Sequence, residues 1–430
     1  MRNIVVKSLG TLAFVCAMLG ASARDLYVNP SGDNANDGLA AIADGAGAGP
    51  KKTLAAAMAI AENGDVVHAA SGTYSEDEVT TSEKYGSYYV TVTNRCIIPE
   101  GVTLLGAGVG STFITGRQFG SAAATWKNNT ATIRCVVMNK NSKLIGVTVT
   151  GGSAPYYDAT VTGSAVDGEG GGIKALGGGC LFQDCVITNN YGRQGGAFYL
   201  GGQGDVFLRC QIARNYSGYI ASGIRGGGYT AVNCDFYGDN SYIVYPGSQT
   251  TKFVNCKFSG QQPLRNKSGG HLYNCVLSGV TSWFTHTNPA DMDTSTYHNC
   301  RFGEQSIYDI ASTVSNFDSD TVVGTDLTDT GSNTYYYANF PAAYLSDEAA
   351  KDYSGKQRLY NGSIDIGRHW PNRIRLAQQF RRRPFREPSG RCAERRLRVV
   401  QRLRNGGQDA CALQRRRTSR GLGVAGGRRV

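Results

Sequence analysis

Between Leu181 and Phe302 one pattern of apolar and polar positions recurs six times, as LFQDCVI, VFLRCQI, TAVNCDF, KFVNCKF, HLYNCVL and TYHNCRF. Each copy centres on a cysteine, Cys185, Cys210, Cys234, Cys256, Cys275 and Cys300, and successive cysteines are 25, 24, 22, 19 and 25 residues apart. An apolar residue stands three before each cysteine (Phe182, Phe207, Ala231, Phe253, Leu272, Tyr297) and another two after it (Ile187, Ile212, Phe236, Phe258, Leu277, Phe302). Side chains alternate along a strand, so the cysteine and the residue two later share a face, and that face must be the interior. Self-similarity at this period is the mark of a solenoid.

Four copies carry asparagine just before the cysteine (Asn233, Asn255, Asn274, Asn299). Asparagine tolerates the left-handed backbone that a sharp bend between strands needs, so each coil reads strand, bend, strand, turn. A helical repeat would need long runs of good helix formers, whereas glycine and β-branched residues dominate here. The pattern predicts an all-β chain, a right-handed single-stranded parallel β-helix with coils about 4.8 Å apart. Lys143 to Thr150 aligns with the cysteine phrase, Val147 standing in the cysteine position, and Ile97 to Gly106 also reads as strand and turn. The gap from Val147 to Cys185 exceeds one coil and predicts a projecting loop from about Gly151 to Gly172.

Upstream, Leu26 to Val28 reads as a strand and Ser31 to Gly38 as a turn-rich loop. Leu54 to Ala61 reads as an alanine-rich helix ended by Asn63-Gly64, and Val66 to Ala69 as the first coil strand. An open solenoid end exposes core and strand edges, so this helix is the expected N-terminal cap. Residues 1–23 begin with Arg2 and Lys7, run apolar from Leu9 to Leu19 and end Ala21-Ser22-Ala23, the three-part pattern of a secretory signal peptide. The expected location is therefore secreted or at the cell surface, with no transmembrane segment.

Several phrases resemble the opening of secreted bacterial right-handed β-helix proteins of the pectate-lyase-like superfamily. They are Tyr27-Val28-Asn29-Pro30-Ser31-Gly32, Asn36-Asp37-Gly38, Gly64-Asp65-Val66-Val67 and Gly72-Thr73-Tyr74. Gly195-Gly196-Ala197-Phe198 is similar to the GGA repeats of surface-exposed polymorphic membrane proteins. The β-helix is expected to fill residues 24–367, whose end, KDYSGKQRLYNGSIDIG, is similar to the closing phrase of many such proteins.

Charge then divides the chain. The total of +11 splits into +16 for residues 368–430, with 19 Arg, no Lys and 3 acidic residues, and −5 for the first 367, with 25 basic and 30 acidic. The basic character belongs wholly to the tail, so no nucleic-acid footprint falls on the coils. The switch at Arg368 coincides with the broken closing phrase, and predicts a disordered Arg-rich tail produced by a frameshifted reading; the alternative is a genuine basic anchor for an anionic surface. The 57 Gly against 11 Pro suit many tight turns. The 12 Cys raise the question of disulfides. Ladder geometry favours buried apolar thiols over cross-links, and the absence of a CxxC pair argues against zinc.

For chemistry, the resemblance implies either a polysaccharide lyase, holding Ca²⁺ on convergent carboxylates with a Lys or Arg as base, or a hydrolase with paired aspartates. Asp205, Asp235 and Asp239 are the available carboxylates and Arg209, Arg214, Arg225 and Lys257 the available bases, but the adjacent Asp-Asp pair of such families is missing. His68, His271, His286, His298 and His369 lie in no nucleophile motif, and His298 reads as a strand residue. Asp33, Asn36 and Asp37 read as turn formers rather than Ca²⁺ ligands, so no cofactor is expected, with Ca²⁺ the one open alternative. Tyr216, Tyr219, Tyr229, Tyr237, Tyr242 and Tyr245 form the densest aromatic run; exposed on one flat face they would stack on sugar rings, and the alternative is core or turn packing. The sequence thus points to an adhesin-like surface for polysaccharide or another extracellular macromolecule, with a pectate-lyase-like lyase or a glycoside hydrolase as the alternative.

Overall fold

A computed structural model of the protein describes residues 22–364 apart from 86–87, 119–130, 156–167, 239–241, 261–263, 265–269, 280–294, 304–316, 325–330, 345–358 and 361–362. The expected leader (1–21), the core of the projecting loop, Asp239, His286, His369 and the Arg-rich tail lie outside the described residues. Nearly every pairing between coils is parallel. The architecture is the expected right-handed parallel β-helix, the hand that parallel crossovers adopt, but the described coils from Val66 to Pro246 carry three strands rather than two.

Sheet I runs from Asp25–Val28 through Val66–Ala69, Thr103–Gly106, Lys143–Ile145 and Leu181–Gln183, and ends at Thr296–His298. Sheet II has ten strands, from Gly72–Tyr74 to Val322–Val323, and contains Val186–Thr188, Gln211–Ala213, Asp235–Gly238 and Lys257–Gly260. Sheet III contains Tyr88–Ile98, Ile133–Met138, Ile173–Ala175 and Val244–Pro246. The long strands Phe198–Leu208 and Ile224–Val232 begin in sheet III and, after a register shift, continue into sheet I.

The corner between sheets I and II explains the repeat. The residue before each cysteine has positive φ in all six copies: 52° at Asp184 and Arg209, 56° at Asn233 and Asn255, 53° at Asn274 and 50° at Asn299. Gly146, before Val147, takes the same corner with φ 68°. Asparagine visits this region at modest cost; where Asp184 and Arg209 occupy it, the two side chains pair across one coil step at 2.7 Å.

After the corner the chain turns inward, and the six cysteines are 0–1 % exposed. All nine described cysteines are free thiols. Each ladder thiol lies within donating distance of a carbonyl of the preceding coil, three residues before that coil's own cysteine or Val147, and of the carbonyl two residues before it in its own coil. The S···O distances are 3.4 Å for Cys185 to Leu144, 3.3 Å for Cys210 to Phe182, 3.6 Å for Cys234 to Phe207, 3.3 Å for Cys256 to Ala231, 3.4 Å for Cys275 to Phe253 and 3.6 Å for Cys300 to Leu272. Burial pushes the thiols of Cys185, Cys210, Cys234 and Cys275 well above their ordinary range, which makes them inert. The apolar positions on either side also stack: Phe182 on Phe207 at 4.6 Å and Phe236 on Phe258 at 4.8 Å.

At the N-terminal end helix α1, Leu54–Met58, is shorter than expected, its N-terminus capped by the Thr53 hydroxyl. Its Leu54, Ala57 and Met58 complete the core. Helix α2, Asn333–Asn339, lies on the outside of sheet I, where Tyr336 and Phe340 pack on Leu181, Leu208, Val232 and Val254.

Two outcomes follow. Native protein reacts slowly with a bulky thiol reagent at the ladder cysteines until it unfolds, as read by mass spectrometry of labelled peptides. Phe258→Ala costs about 3–5 kcal/mol in denaturant unfolding, as for other buried aromatics.

Candidate functional site

Sheet III places one outward side chain per coil in register, and on its middle rungs these are Val137, Lys174, Tyr199, Arg225 and Tyr245. The rungs lie roughly 4.8 Å apart, so cations and phenol rings alternate along the axis. Lys174 Nζ sits 5.6 Å from the Tyr199 ring centroid and the Arg225 guanidinium 4.5 Å from that of Tyr245. Beside this ladder, at the corner leading from sheet II, Arg193 lies 4.8 Å over Tyr219.

One end of the ladder is electrostatically closed. The hairpin of Val79–Tyr85 and Tyr88–Ile98 brings Glu83 over the sheet, 2.5 Å from Arg134 and 2.7 Å from Lys174, and Glu169 meets Lys174 at 2.8 Å. Arg134 is fully buried and spends its other donors on Asn94 Oδ1 and the carbonyls of Glu169 and Gly170, each at 2.9 Å. Burial raises the Glu83 carboxyl, but Arg134 and Lys174 together outweigh it and hold the group at about 2. Tyr199 is pushed up to about 12 by burial and by Glu169.

The other end is open. Arg225 makes no ion pair among the described residues, and its Nε is buried with no hydrogen-bond partner. A desolvated donor without an acceptor costs about 1–3 kcal/mol, which an incoming oxygen would recover.

Tyr216 and Tyr219, 51 % and 57 % exposed, stand at the corner beside sheet III, and Tyr245 stands on the sheet III ladder. Tyr242, half-buried, lies just before that strand. Tyr237 is on the outside of sheet II, 6.0 Å from the Arg214 guanidinium. Tyr229 is 1 % exposed and packs edge-to-face between Phe207 and Phe253 inside the core. The expected six-tyrosine platform is therefore corrected. The register shift in the strands joining sheets III and I turns position 229 inward, and the remaining rings divide between two faces.

The carboxylates are similarly dispersed. Asp205 lies in the core, accepting from the Cys180 amide at 2.9 Å, and so cannot meet a surface ligand. Asp235 is on the outside of sheet II in register with Gln211 and Lys257, half-buried rather than fully solvated. Burial raises its carboxyl to about 6 against the pull of Lys257 and Gln211. Arg209 is committed to Asp184, Arg214 lies by Tyr237, and Arg225 lies on sheet III. In the loop, Asp33 and Asp37 accept from the amides of Ala35 and Leu39, each at 2.9 Å, the geometry of turn formers. Among the described residues no three His, Cys, Asp or Glu side chains converge as a metal site.

No family model and no curated protein matches the chain. Among solved structures it is similar to a pectin methylesterase from carrot at 14 % identity and TM-score 0.42, over 75 % of this chain and 95 % of that one. It is likewise similar to the pectin methylesterase PemA from Erwinia chrysanthemi at 12 % identity and TM-score 0.43, over 75 % and 97 % of the two chains. The pectate lyase Pel9A is more distant, at 14 % identity and TM-score 0.29, over 66 % and 63 %. At these scores the strand pairing, not the likeness, establishes the fold.

Glu83, Arg134, Glu169, Lys174, Arg193 and Tyr199 were not among the sequence candidates. The readable signal was the glycine pair of Gly171-Gly172 and Gly195-Gly196, each shortly before an outward rung. A Cβ on Gly196 would lie 2.2 Å from the Tyr216 carbonyl oxygen, so the pair marks the tight corner after which sheet III begins.

The Glu83 clasp has a defined pH signature. Its folded value of about 2 is below the ordinary 4.5, so its contribution is fully present above 4.5 and is lost as pH falls toward 2. Glu83→Gln, which leaves Arg134 buried without its carboxylate, lowers stability at neutral pH by about 3 kcal/mol and flattens that acid limb in urea titrations.

Proposed function

We propose that this chain is an exported β-helix protein whose sheet III face binds a polysaccharide, meeting an acidic group of that polymer with Arg225, and that it presents this face without catalysing a reaction. The Arg225 guanidinium, beside the Tyr245 ring with its Nε unsatisfied and with no ion pair among the described residues, carries the reading. A planar guanidinium takes a carboxylate or sulfate through paired N–H donors, and the exposed Tyr216 and Tyr219 beside it offer flat faces for sugar rings. The regular rung spacing suits a polymer lying along the axis. The leader-like start of the sequence supports export, and no helix among the described residues is long and apolar enough to cross a membrane.

The arrangement of acids favours binding over turnover. Glu83 and Glu169 are neutralised by Lys174 and Arg134, which leaves no matched acid and base on this face among the described residues. One observation favours the lyase or hydrolase alternative: the Asp235 carboxyl at about 6 beside Lys257, on sheet II.

Affinity electrophoresis against polyuronate and neutral glucan, with absorbance readout for unsaturated product, tests both readings. Arg225→Ala is expected to weaken polyuronate retention about tenfold to a hundredfold, the worth of a hydrogen bond to a charged group. Tyr219→Ala is expected to weaken retention of both polymers. Unchanged retention in Arg225→Ala would sink the binding reading, and product formation abolished by Asp235→Asn would establish the enzyme.

A further inference from the structure

On the outside of sheet I, far along the solenoid from Lys174, two imidazoles share one hydroxyl. Thr296 Oγ1 lies 2.7 Å from His271 Nδ1 and 3.1 Å from His298 Nε2. The second nitrogen of His298 faces Asp318 Oδ2 at 3.4 Å, and the same carboxylate oxygen accepts from the Tyr335 hydroxyl at 3.0 Å. The rings form one block: Tyr273 stacks on His298 at 4.9 Å, and Tyr335 lies 5.4 Å from His298 and 5.7 Å from Tyr273.

Tyr335 belongs to α2, so this chain is one of the attachments of that helix. The others are Asn233 Nδ2 to the Tyr336 hydroxyl at 3.1 Å, Asn274 to the backbone of Ser332 in both directions at 2.9 Å, and Lys252 Nζ to Asn339 Oδ1 at 3.2 Å. Beneath the helix lies the apolar strip of Leu181, Leu208, Val232 and Val254.

A hydroxyl has one proton to donate. It can donate to one of the two imidazoles only while a facing ring nitrogen is an acceptor; with both facing nitrogens protonated the oxygen still accepts from both, but its own proton has no partner between them. A proton on His298 is accommodated by geometry, because its other nitrogen faces Asp318. A second has no such place. Protonating His271 as well leaves the Thr296 O–H without an acceptor and sets two imidazolium rings beside each other and beside the Lys252 ammonium.

We propose that the His271–Thr296–His298–Asp318 chain is an acid-sensitive latch, which holds α2 on sheet I while His271 is neutral and releases it when His271 gains a proton. The groups that bear on His271 are His298 and Lys252, which oppose its charge, and the Gln249 carbonyl, which favours it; burial, the largest influence, opposes it, so its affinity for the proton is below ordinary. Asp318 is held as a carboxylate: burial raises it, but the Asn299 amide, the Thr321 and Tyr335 hydroxyls and His298 lower it further. Asp320 lies close enough to act on Tyr335. A histidine with a depressed folded affinity stabilises the docked state above its unfolded value and ceases to do so as pH falls below it. Release is therefore expected on the acid side of neutrality.

The test uses the full chain and amide hydrogen exchange of Asn333–Asn339, expressed as protection factors, at about pH 8 and about pH 5, either side of an ordinary histidine. Wild type is expected to lose protection in α2 on the order of tenfold, while the Phe253 and Phe258 strands keep theirs. His271→Asn retains an acceptor but cannot take the proton, and is expected to hold α2 equally at both values. Thr296→Val is expected to show weak α2 protection already at about pH 8. Unchanged wild-type protection, or a loss that persists in His271→Asn, overturns the proposal. Should His271→Asn fail to fold, histidine-ring NMR of wild type decides: the His271 ring must gain its proton over the pH range in which α2 loses protection, and loss of protection while His271 is still neutral overturns the proposal.

Discussion

The left-handed corner between sheets I and II is the constraint on which the solenoid depends. From Gly146 to Asn299 each coil places one residue at positive φ there and then turns the next side chain into a narrow interior wedge. That wedge admits a small side chain, and a thiol also lies within donating distance of the carbonyl of the coil before it, at 3.3 to 3.6 Å in all six copies. A buried thiol is a weak donor, and its value lies in being repeated at no cost in volume. Because the corner fixes the register, coil length is free to vary elsewhere, and the cysteines can be 19 residues apart in one step and 25 in another without disturbing the ladder.

This explains what was readable in the sequence. Corner and wedge demand particular residue types, so Asn233, Asn255, Asn274 and Asn299 with their cysteines repeat visibly and disclose the fold. The third strand was not readable, because sheet III makes no such demand: Ile173, Phe198 and Ile224 are in register with nothing in common except being apolar. The outward rungs are still less alike, Lys174, Tyr199, Arg225 and Tyr245 sharing a position and no residue type. Glu83 acts on Lys174 across 91 residues of sequence. Tyr229 takes the core alternative left open for the aromatic run, and alternation alone would not have shown it, because each irregularity in that strand can reverse inside and outside.

The sheet III face is graded in charge along its axis. At Lys174 two carboxylates reach each other's cation partners and the group is closed, rigid and expensive to dismantle, since removing one member leaves buried charge. Two rungs further, Arg225 has an aromatic neighbour on either side and no ion-pair partner among the described residues. A cation between phenol faces is held in place by its surroundings without being neutralised by them, which is the condition for an exchangeable anion site. The clasp therefore fixes the hairpin and the sheet, and the open rung is left to meet whatever lies along the face.

The corner asparagines also determine what sheet I carries on its outside. Their backbone conformation leaves the amide groups at the rim, where Asn255 donates to Asn233 Oδ1 at 3.0 Å and Asn299 to Asn274 Oδ1 at 2.8 Å. The same amides also take α2: Asn233 Nδ2 meets the Tyr336 hydroxyl, and Asn274 donates to the Ser332 carbonyl while its Oδ1, shared with Asn299, accepts from the Ser332 amide. Two coils earlier the corner is made by Asp184 and Arg209, which pair with each other and offer no such amide. The residue type that solves the backbone problem of the corner thus also provides the polar seat for the helix, and the apolar strip below supplies the burial that an isolated seven-residue helix lacks.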